Sequence, residues 1–321
     1  MSKTPHHPQP PLPPRSGRVA IVGKPNVGKS TLLNALLGEP IAITSPQPQT
    51  TRTTVRGVLT DPATATQFVF VDTPGLHAAK TRLGERMNLL AREAAREADA
   101  VVLVVGTGTH HAEEEAALLA ELPAARTVVA VNKIDRLRDK AALLPRLASF
   151  APAGAEPGEG QRFAAVVPIS ARRADGLDAL RKELRELLPE QPFLYEADTL
   201  TDQPTRFFVA EFVREQVLAH TREEVPHGVA VVVERFEEAA GKSVPHLELA
   251  VHVARESHKK ILIGKQGQML KAIGMQARAR VEQMMGTQVH LQLWVRVSPN
   301  WMDDPTRMRE LGYGNDGGEG S

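Results

Sequence analysis

The stretch "RVAIVGKPNVGKSTLLNALLG", Arg18 to Gly38, sets a β-prone apolar run, a glycine loop and a helical run end to end. Within it "GKPNVGKS", Gly23 to Ser30, has the GxxxxGK[ST] spacing in the strand, loop, helix context that this spacing requires. Gly23 and Gly28 let the backbone bend so that successive N–H groups point at phosphate oxygens, and the following helix adds the positive end of its dipole. Lys29 suits the β- and γ-phosphates of a nucleotide, and the Ser30 hydroxyl suits the Mg²⁺ that enters with it. Lys24, Pro25, Asn26, Val27 and Thr31 complete the expected lining.

Outward from this loop, the runs "QFVFVD", "DAVVLVV", "TVVAVN" and "AVVPIS" read as further strands between amphipathic helices. Nearly continuous apolar strands of this kind belong to a parallel sheet buried on both faces, so the fold class is α/β with a mostly parallel sheet. Open sheets of this type bind ligands at the carboxyl ends of their strands, and three more motifs lie there. "VDTPG" brings Asp72 toward the metal and the Gly75 backbone N–H toward the γ-phosphate. "NKID" brings Asn132, Lys133 and Asp135. A carboxylate at Asp135 accepts from both N1–H and the N2 amine of guanine, whereas adenine offers no such pair of donors. That asymmetry selects GTP over ATP and argues against the main rival, a metabolic P-loop kinase. "SAR", Ser170 to Arg172, would offer the Ala171 N–H to guanine O6.

These residues resemble the translation-factor-related GTPases, and "TTR", Thr50 to Arg52, fits their first switch. One threonine there would join Mg²⁺ only when the γ-phosphate is present; Thr51 is favoured and Thr50 is the alternative. Lys29, Thr51 and Gly75 make up the catalytic set, and Ser30, Thr51 and Asp72 the metal set. Leu76 stands where Ras-like proteins carry the glutamine that orients the attacking water, which predicts slow intrinsic hydrolysis. His77 beside it is read as an exposed loop histidine.

A second glycine loop lies in "ILIGKQGQML", Ile261 to Leu270, where "ILI" reads as the end of a strand. The surrounding region holds Arg255, Lys259, Lys260, Lys265, Lys271, Arg278, Arg280 and Arg296 against Glu256 and Glu282. Gly264 and Gly267, with Lys265 and Gln266 between them, allow a phosphodiester backbone to approach closely. Lys259, Lys260, Ile263, Lys271 and Arg278 complete the expected RNA contacts. Ile261, Ile263, Met269 and Ile273 either line a groove for bases or pack in the core, and core packing is expected for at least half of them. The order helix, strand, strand, helix, Gly-x-x-Gly loop, helix, strand is similar to an α+β type II KH domain.

A GTPase domain followed by a KH domain resembles the Era family of bacterial GTPases, over Arg18 to about Trp301. "GKPNVGKSTLLN", "QTTR", "DTPGLH", "NKID" and "ESHKKILIGKQGQMLKAIG" carry the resemblance. It implies GTP/GDP and Mg²⁺ as cofactors and binding near the 3′ end of 16S rRNA on the 30S ribosomal subunit or its precursors. It also implies peripheral association with the inner membrane; the chain is expected to act as a monomer.

Composition bounds the rest. The 321 residues are enough for two domains. No apolar run approaches the roughly 20 residues of a membrane-spanning helix. The proline-rich start has no secretory apolar centre, so a cytoplasmic protein is expected. There are no cysteines, which removes disulfides, thiolate metal sites and thiol chemistry. A net charge of +1 conceals the basic region around the second loop. The expected divisions are a proline-rich tail (1–16), a GTPase domain (17–189), a linker (190–205), the KH domain (206–301) and a C-terminal tail (302–321). Ala151 to Arg162 is read as a surface loop.

Overall fold

The computed structural model describes residues 12–45, 47, 49–108, 112–150, 162–222, 225–238 and 244–314, with backbone alone at 112–114. The N-terminal residues 1–11 and the loop residues 151–161 lie outside this description, as do residues 315–321.

The first domain runs β1 (Arg15–Val22), α1 (Lys29–Leu37), β2 (Val55–Asp61), β3 (Thr66–Asp72), α2 (Arg82–Glu97), β4 (Ala100–Gly106), α3 (Ala112–Glu121), β5 (Thr127–Asn132), α4 (Leu143–Ala148), β6 (Ala165–Pro168) and α5 (Leu177–Leu187). Its six strands lie in the order β2-β3-β1-β4-β5-β6, all neighbours parallel except β2 against β3. The five expected strands are present. β2 is the strand the apolar pattern misses: "VRGVLTD" has charged residues at its second and last positions and a glycine inside, as an edge strand tolerates. β1 begins at Arg15, so Arg15 and Ser16 belong to the sheet.

Alternation along the strands divides the interior in two. Val19, Ile21, Phe68, Phe70, Val102 and Ala130 face α1 and α5, whose Leu32, Leu33, Leu180 and Leu184 close over them. Ala20, Val22, Val101, Leu103 and Val129 face α2 and α3, meeting Ala95, Leu118 and Leu119. Cutting a fully buried leucine such as Leu33 to alanine would cost about 2–5 kcal/mol, the sum of lost transfer energy and a residual cavity.

The linker is tied down along the sheet. Gln67 Oε1 accepts from the N–H groups of Leu194 (2.8 Å) and Tyr195 (2.9 Å). The Val58 N–H donates to Leu200 O (2.8 Å), and Thr201 Oγ1 donates to Arg56 O (2.6 Å), so the linker backbone covers the outer edge of β2.

The second domain runs α6 (Thr205–His220), β7 (Val229–Glu237), β8 (His246–Val253), α7 (Glu256–Ile263), α8 (Gln268–Met285), β9 (His290–Val297) and α9 (Pro305–Glu310). β7 pairs antiparallel with β8, and β8 pairs parallel with β9 across the α7–α8 connection. "ILI" is the last turn of helix α7 and not a strand end: His258 and Leu262, four apart, are its buried face, and Ile261 is half exposed. The stretch after β9 is structured as far as Gly314, with Trp301, Met308, Leu311 and Tyr313 packing against Leu83 and Met87 of α2.

Candidate functional site

At the carboxyl ends of β1, β3, β5 and β6 the four motifs meet. Gly23 and Gly28 have φ of 147° and 104°, and a Cβ at either would lie 2.4 Å from Val104 O or from the Asn132 amide nitrogen. Glycine is therefore required at both for conformation and for space. Lys29 is buried, and its Nζ donates to Gly23 O (3.2 Å) and Lys24 O (3.0 Å). Burial disfavours its charge and lowers its pKa to about 8, with Asp72 acting in the opposite direction.

Three oxygens converge beside it. Ser30 Oγ donates to Asp72 Oδ2 (2.7 Å) and lies 2.9 Å from Thr51 Oγ1; Thr51 Oγ1 also reaches Asp72 Oδ2 (3.2 Å). The Thr50 hydroxyl instead donates to Gln47 O (2.7 Å). Of the two adjacent threonines, it is Thr51 whose hydroxyl lies beside Ser30 and Asp72. Asp72 is fully buried, burial raises its carboxyl pKa, and its Oδ1 has no hydrogen-bond partner. An uncompensated carboxylate oxygen beside two hydroxyls is a donor set of hard oxygens, which fits Mg²⁺. The cleft between Lys29, Ser30, Thr44, Thr51 and Gly75 has a volume of about 60 Å³.

The guanine-side residues are bound to one another. Asn132 Nδ2 donates to Val27 O (2.8 Å), tying β5 to the glycine loop, and its Oδ1 accepts from Lys133 N (2.7 Å) and Ala171 N (3.0 Å). The Ala171 N–H, expected to be free for a base, is held by Asn132. Lys133 sits at a φ of 72° and its ammonium donates to Asn26 O, which lays its stem along the loop. Asp135 Oδ1 accepts from Ser170 Oγ (2.7 Å), which holds its carboxyl below the usual range and leaves it ionised. Arg172 is exposed and is not drawn into these contacts.

Gly75 is pressed against the loop, where a Cβ would lie 2.7 Å from the Pro25 nitrogen, and the Leu76 N–H donates to Gly23 O (3.1 Å). The Leu76 side chain packs into the apolar cluster on the α2 side of the sheet. His77 is not the free loop residue its position suggests. It is half-buried, its Nδ1 donates to Gly75 O (2.8 Å), and its Nε2 accepts from the Gln49 amide (2.9 Å). His77 thus joins the two switch segments, a contact invisible in sequence because Gln49 and His77 are 28 residues apart.

In the second domain, Gly264 has φ 69° and ψ −178°, a conformation open to little but glycine, and a Cβ there would lie 2.7 Å from Met269 Cβ. Gln266 and Gly267 also have positive φ (52° and 76°). The loop opens onto a groove of about 370 Å³ between α8 and β9, lined by Gly267, Leu270, Lys271, Met275, Arg278 and Leu293 among others. Lys260, Lys265, Gln266, Lys271 and Arg278 are exposed; Lys259 is half-buried. Ile273 belongs wholly to the core, Ile263 and Met269 pack against it, and Ile261 alone of the four is exposed. Arg280 and Arg296 are committed elsewhere: Arg280 pairs with Glu215 (3.3 Å) and stacks on Phe212, and Arg296 pairs with Glu234 (2.8 Å).

The 50S ribosome-binding GTPase family model matches residues 18–133, and the KH domain model matches residues 224–302. Fold and site together define a P-loop GTPase with a KH domain attached. The chain is 43% identical over 303 residues to GTPase Era of Geobacter metallireducens, spanning 94% of this chain and 98% of that one. It is 44% identical over 306 residues to GTPase Era of Xanthomonas oryzae pv. oryzae, again over 94% and 98%. A crystal structure of an Era variant from Aquifex aeolicus bound to GDP and tetrafluoroaluminate superimposes with a TM-score of 0.84 at 38% identity, over 94% and 99% of the chains. Era in complex with MgGDPNP and nucleotides 1506–1542 of 16S ribosomal RNA gives 0.86 at 38% identity, with the same coverage. The chain belongs to the Era family: it is a GTPase whose cofactors are GTP/GDP and Mg²⁺.

Proposed function

We propose that this chain is a slow GTP-driven switch that binds the 3′-terminal part of 16S rRNA through its KH groove and assists maturation of the 30S subunit. Its nucleotide side works as follows. Lys29 neutralises the β- and γ-phosphates, and the backbone N–H groups of residues 23–31 wrap them. Asp135 reads guanine N1 and N2, Lys133 lies along the base, and O6 shares the Ala171 N–H with Asn132. Ser30, Asp72 and Thr51 would hold Mg²⁺, which would supply charge neutralisation at the phosphates. The Gly75 N–H meets the γ-phosphate once nucleotide has separated this segment from Pro25. Leu76 cannot orient water, so water is placed by backbone groups or by a partner, and turnover is slow.

The observation that carries the RNA reading is the Gly264–Gly267 loop, which presents backbone and exposed Lys265 at the mouth of a groove flanked by Lys271 and Arg278. A polyanion passing over the loop and bases entering the groove suit that layout. The relative solved with a 16S rRNA fragment supports the same choice of partner. We also infer that the nucleotide state adjusts RNA affinity through the contact between domains. Peripheral inner-membrane association rests on the resemblance alone; among the described residues no helix is long and apolar enough to cross a membrane. Crosslinking to ribosomal RNA with and without Gly264→Asp tests the assignment. Loss of the crosslink in a variant that still binds GTP is expected, and an undiminished crosslink overturns it.

A further inference from the structure

Thr51 is followed by an arginine whose side chain leaves the GTPase domain. Arg52 is 3% exposed, and its guanidinium donates to the carbonyl oxygens of Val229, Pro226 (3.0 Å) and His227 (2.9 Å), all at the entry to β7 of the KH domain. It lies 5.8 Å from the Trp301 ring centre and 6.0 Å from that of Tyr313. Among the described residues no carboxylate pairs with it at hydrogen-bond distance. A cation buried this way is held by carbonyl oxygens and ring faces that a competing conformation would have to reproduce.

The residue before Thr51 is held from the other side. Arg214 of α6, 1% exposed, donates to Thr50 O while its Nε donates to Glu211 (2.7 Å). The next residue of α6, Glu215, pairs with Arg280 of α8 (3.3 Å). The switch segment is therefore gripped by the KH domain at Thr50 and Arg52, and between them the Thr51 hydroxyl is turned to Ser30 and Asp72.

We propose that Arg52 and Arg214 are positioning residues for Thr51, so that the KH domain sets where the metal-seeking hydroxyl stands and senses in return whether it is engaged. This rests on the assignment of Thr51 to the metal set. A short segment pinned at both neighbours has little freedom of its own. Movement of Thr51 onto a metal bound with the γ-phosphate must shift the carbonyl entry to β7, and affinity coupling of this kind is reciprocal. The entry to β7 is also bound to Trp301, whose Nε1 donates to Gly228 O (3.0 Å).

Trp301 thus reports on the grip from the KH side. The chain has two tryptophans, and Trp294→Phe leaves Trp301 alone. In that protein, Mg²⁺ with a non-hydrolysable GTP analogue is expected to shift the Trp301 emission, while GDP leaves it unmoved. Arg52→Lys or Arg214→Lys in the same background is expected to abolish the shift. Each should speed dissociation of the analogue by about tenfold, the effect of one hydrogen bond to a charged group, with GDP dissociation unchanged. Emission that stays the same in every nucleotide state of a protein that binds both nucleotides overturns the proposal. So do variants that release GDP and the analogue equally faster. A protein that never takes up the magnesium-bound analogue overturns the nucleotide assignment and this inference with it.

Discussion

The two glycine loops of this chain solve different anion problems. In Gly23–Ser30 both glycines are hemmed in: added side-chain carbons would strike Val104 O or Asn132, and Lys29 is buried. Around Gly264–Gly267 only the first glycine is sterically required by its neighbour; a Cβ at Gly267 meets nothing within 4 Å, and Lys265 stands in solvent. The enclosed loop suits a short, highly charged group that can be surrounded. The open one suits a long chain that must pass across it. The same backbone device thus becomes a pocket or a platform according to what the following strands place over it.

The largest expected effect breaks the enclosed loop's selectivity. Asp135→Asn removes the acceptor for two guanine donors, and GTP affinity should fall by about 10³-fold or more. Xanthosine triphosphate, with an oxygen in place of the N2 amine, should gain. Competition binding with both nucleotides measures it, and the KH groove should keep its RNA affinity.

Gly264→Asp tests the open loop. The native φ and ψ are closed to other residues at a cost of about 1–3 kcal/mol, and a carboxylate would stand near the phosphates. RNA affinity should fall roughly 10- to 100-fold with nucleotide affinity unchanged, read by gel shift and by nucleotide titration.

A third contrast is in pH. Burial sets Lys29 at about 8 in the nucleotide-free site, and phosphates bound against it would raise that value. Below about pH 8 both states hold the proton and affinity is flat. Above it, binding must take up a proton, so affinity falls as pH rises, by up to about tenfold per unit. Lys29→Arg, charged throughout, should flatten the profile.

The smallest effect is in salt. Lys265→Ala or Lys271→Ala should each lower the slope of log affinity for RNA against log salt by about 0.7, the value for one phosphate contact on a single strand. Nucleotide affinity should be insensitive to both.

The nucleotide site was legible because its motifs are short, contiguous and each at the end of a strand. Gly23 to Ser30, Asp72, Asn132 and Asp135 can each be proposed from a local pattern, and the fold brings them to neighbouring strand ends. Where meaning depended on a remote residue the sequence was silent. Arg52 looks like one more exposed switch residue until β7 is folded against it, 177 residues on. Which of the Thr50 and Thr51 hydroxyls lies beside Asp72 depends on how the backbone directs each, and no local pattern carries that. β2 escaped notice because an edge strand buries only one side, and "ILI" misled because three β-branched and aliphatic residues hide the four-residue spacing of His258 and Leu262.

The linker's bonds to β2 have a practical corollary. Leu200 and Thr201 occupy hydrogen-bonding groups of an edge strand that would otherwise invite a neighbouring molecule to add on. A GTPase fragment truncated at 189 would therefore present a bare β-edge and precipitate readily, whereas one extended through Gln203 would keep its own margin sealed and remain dispersed.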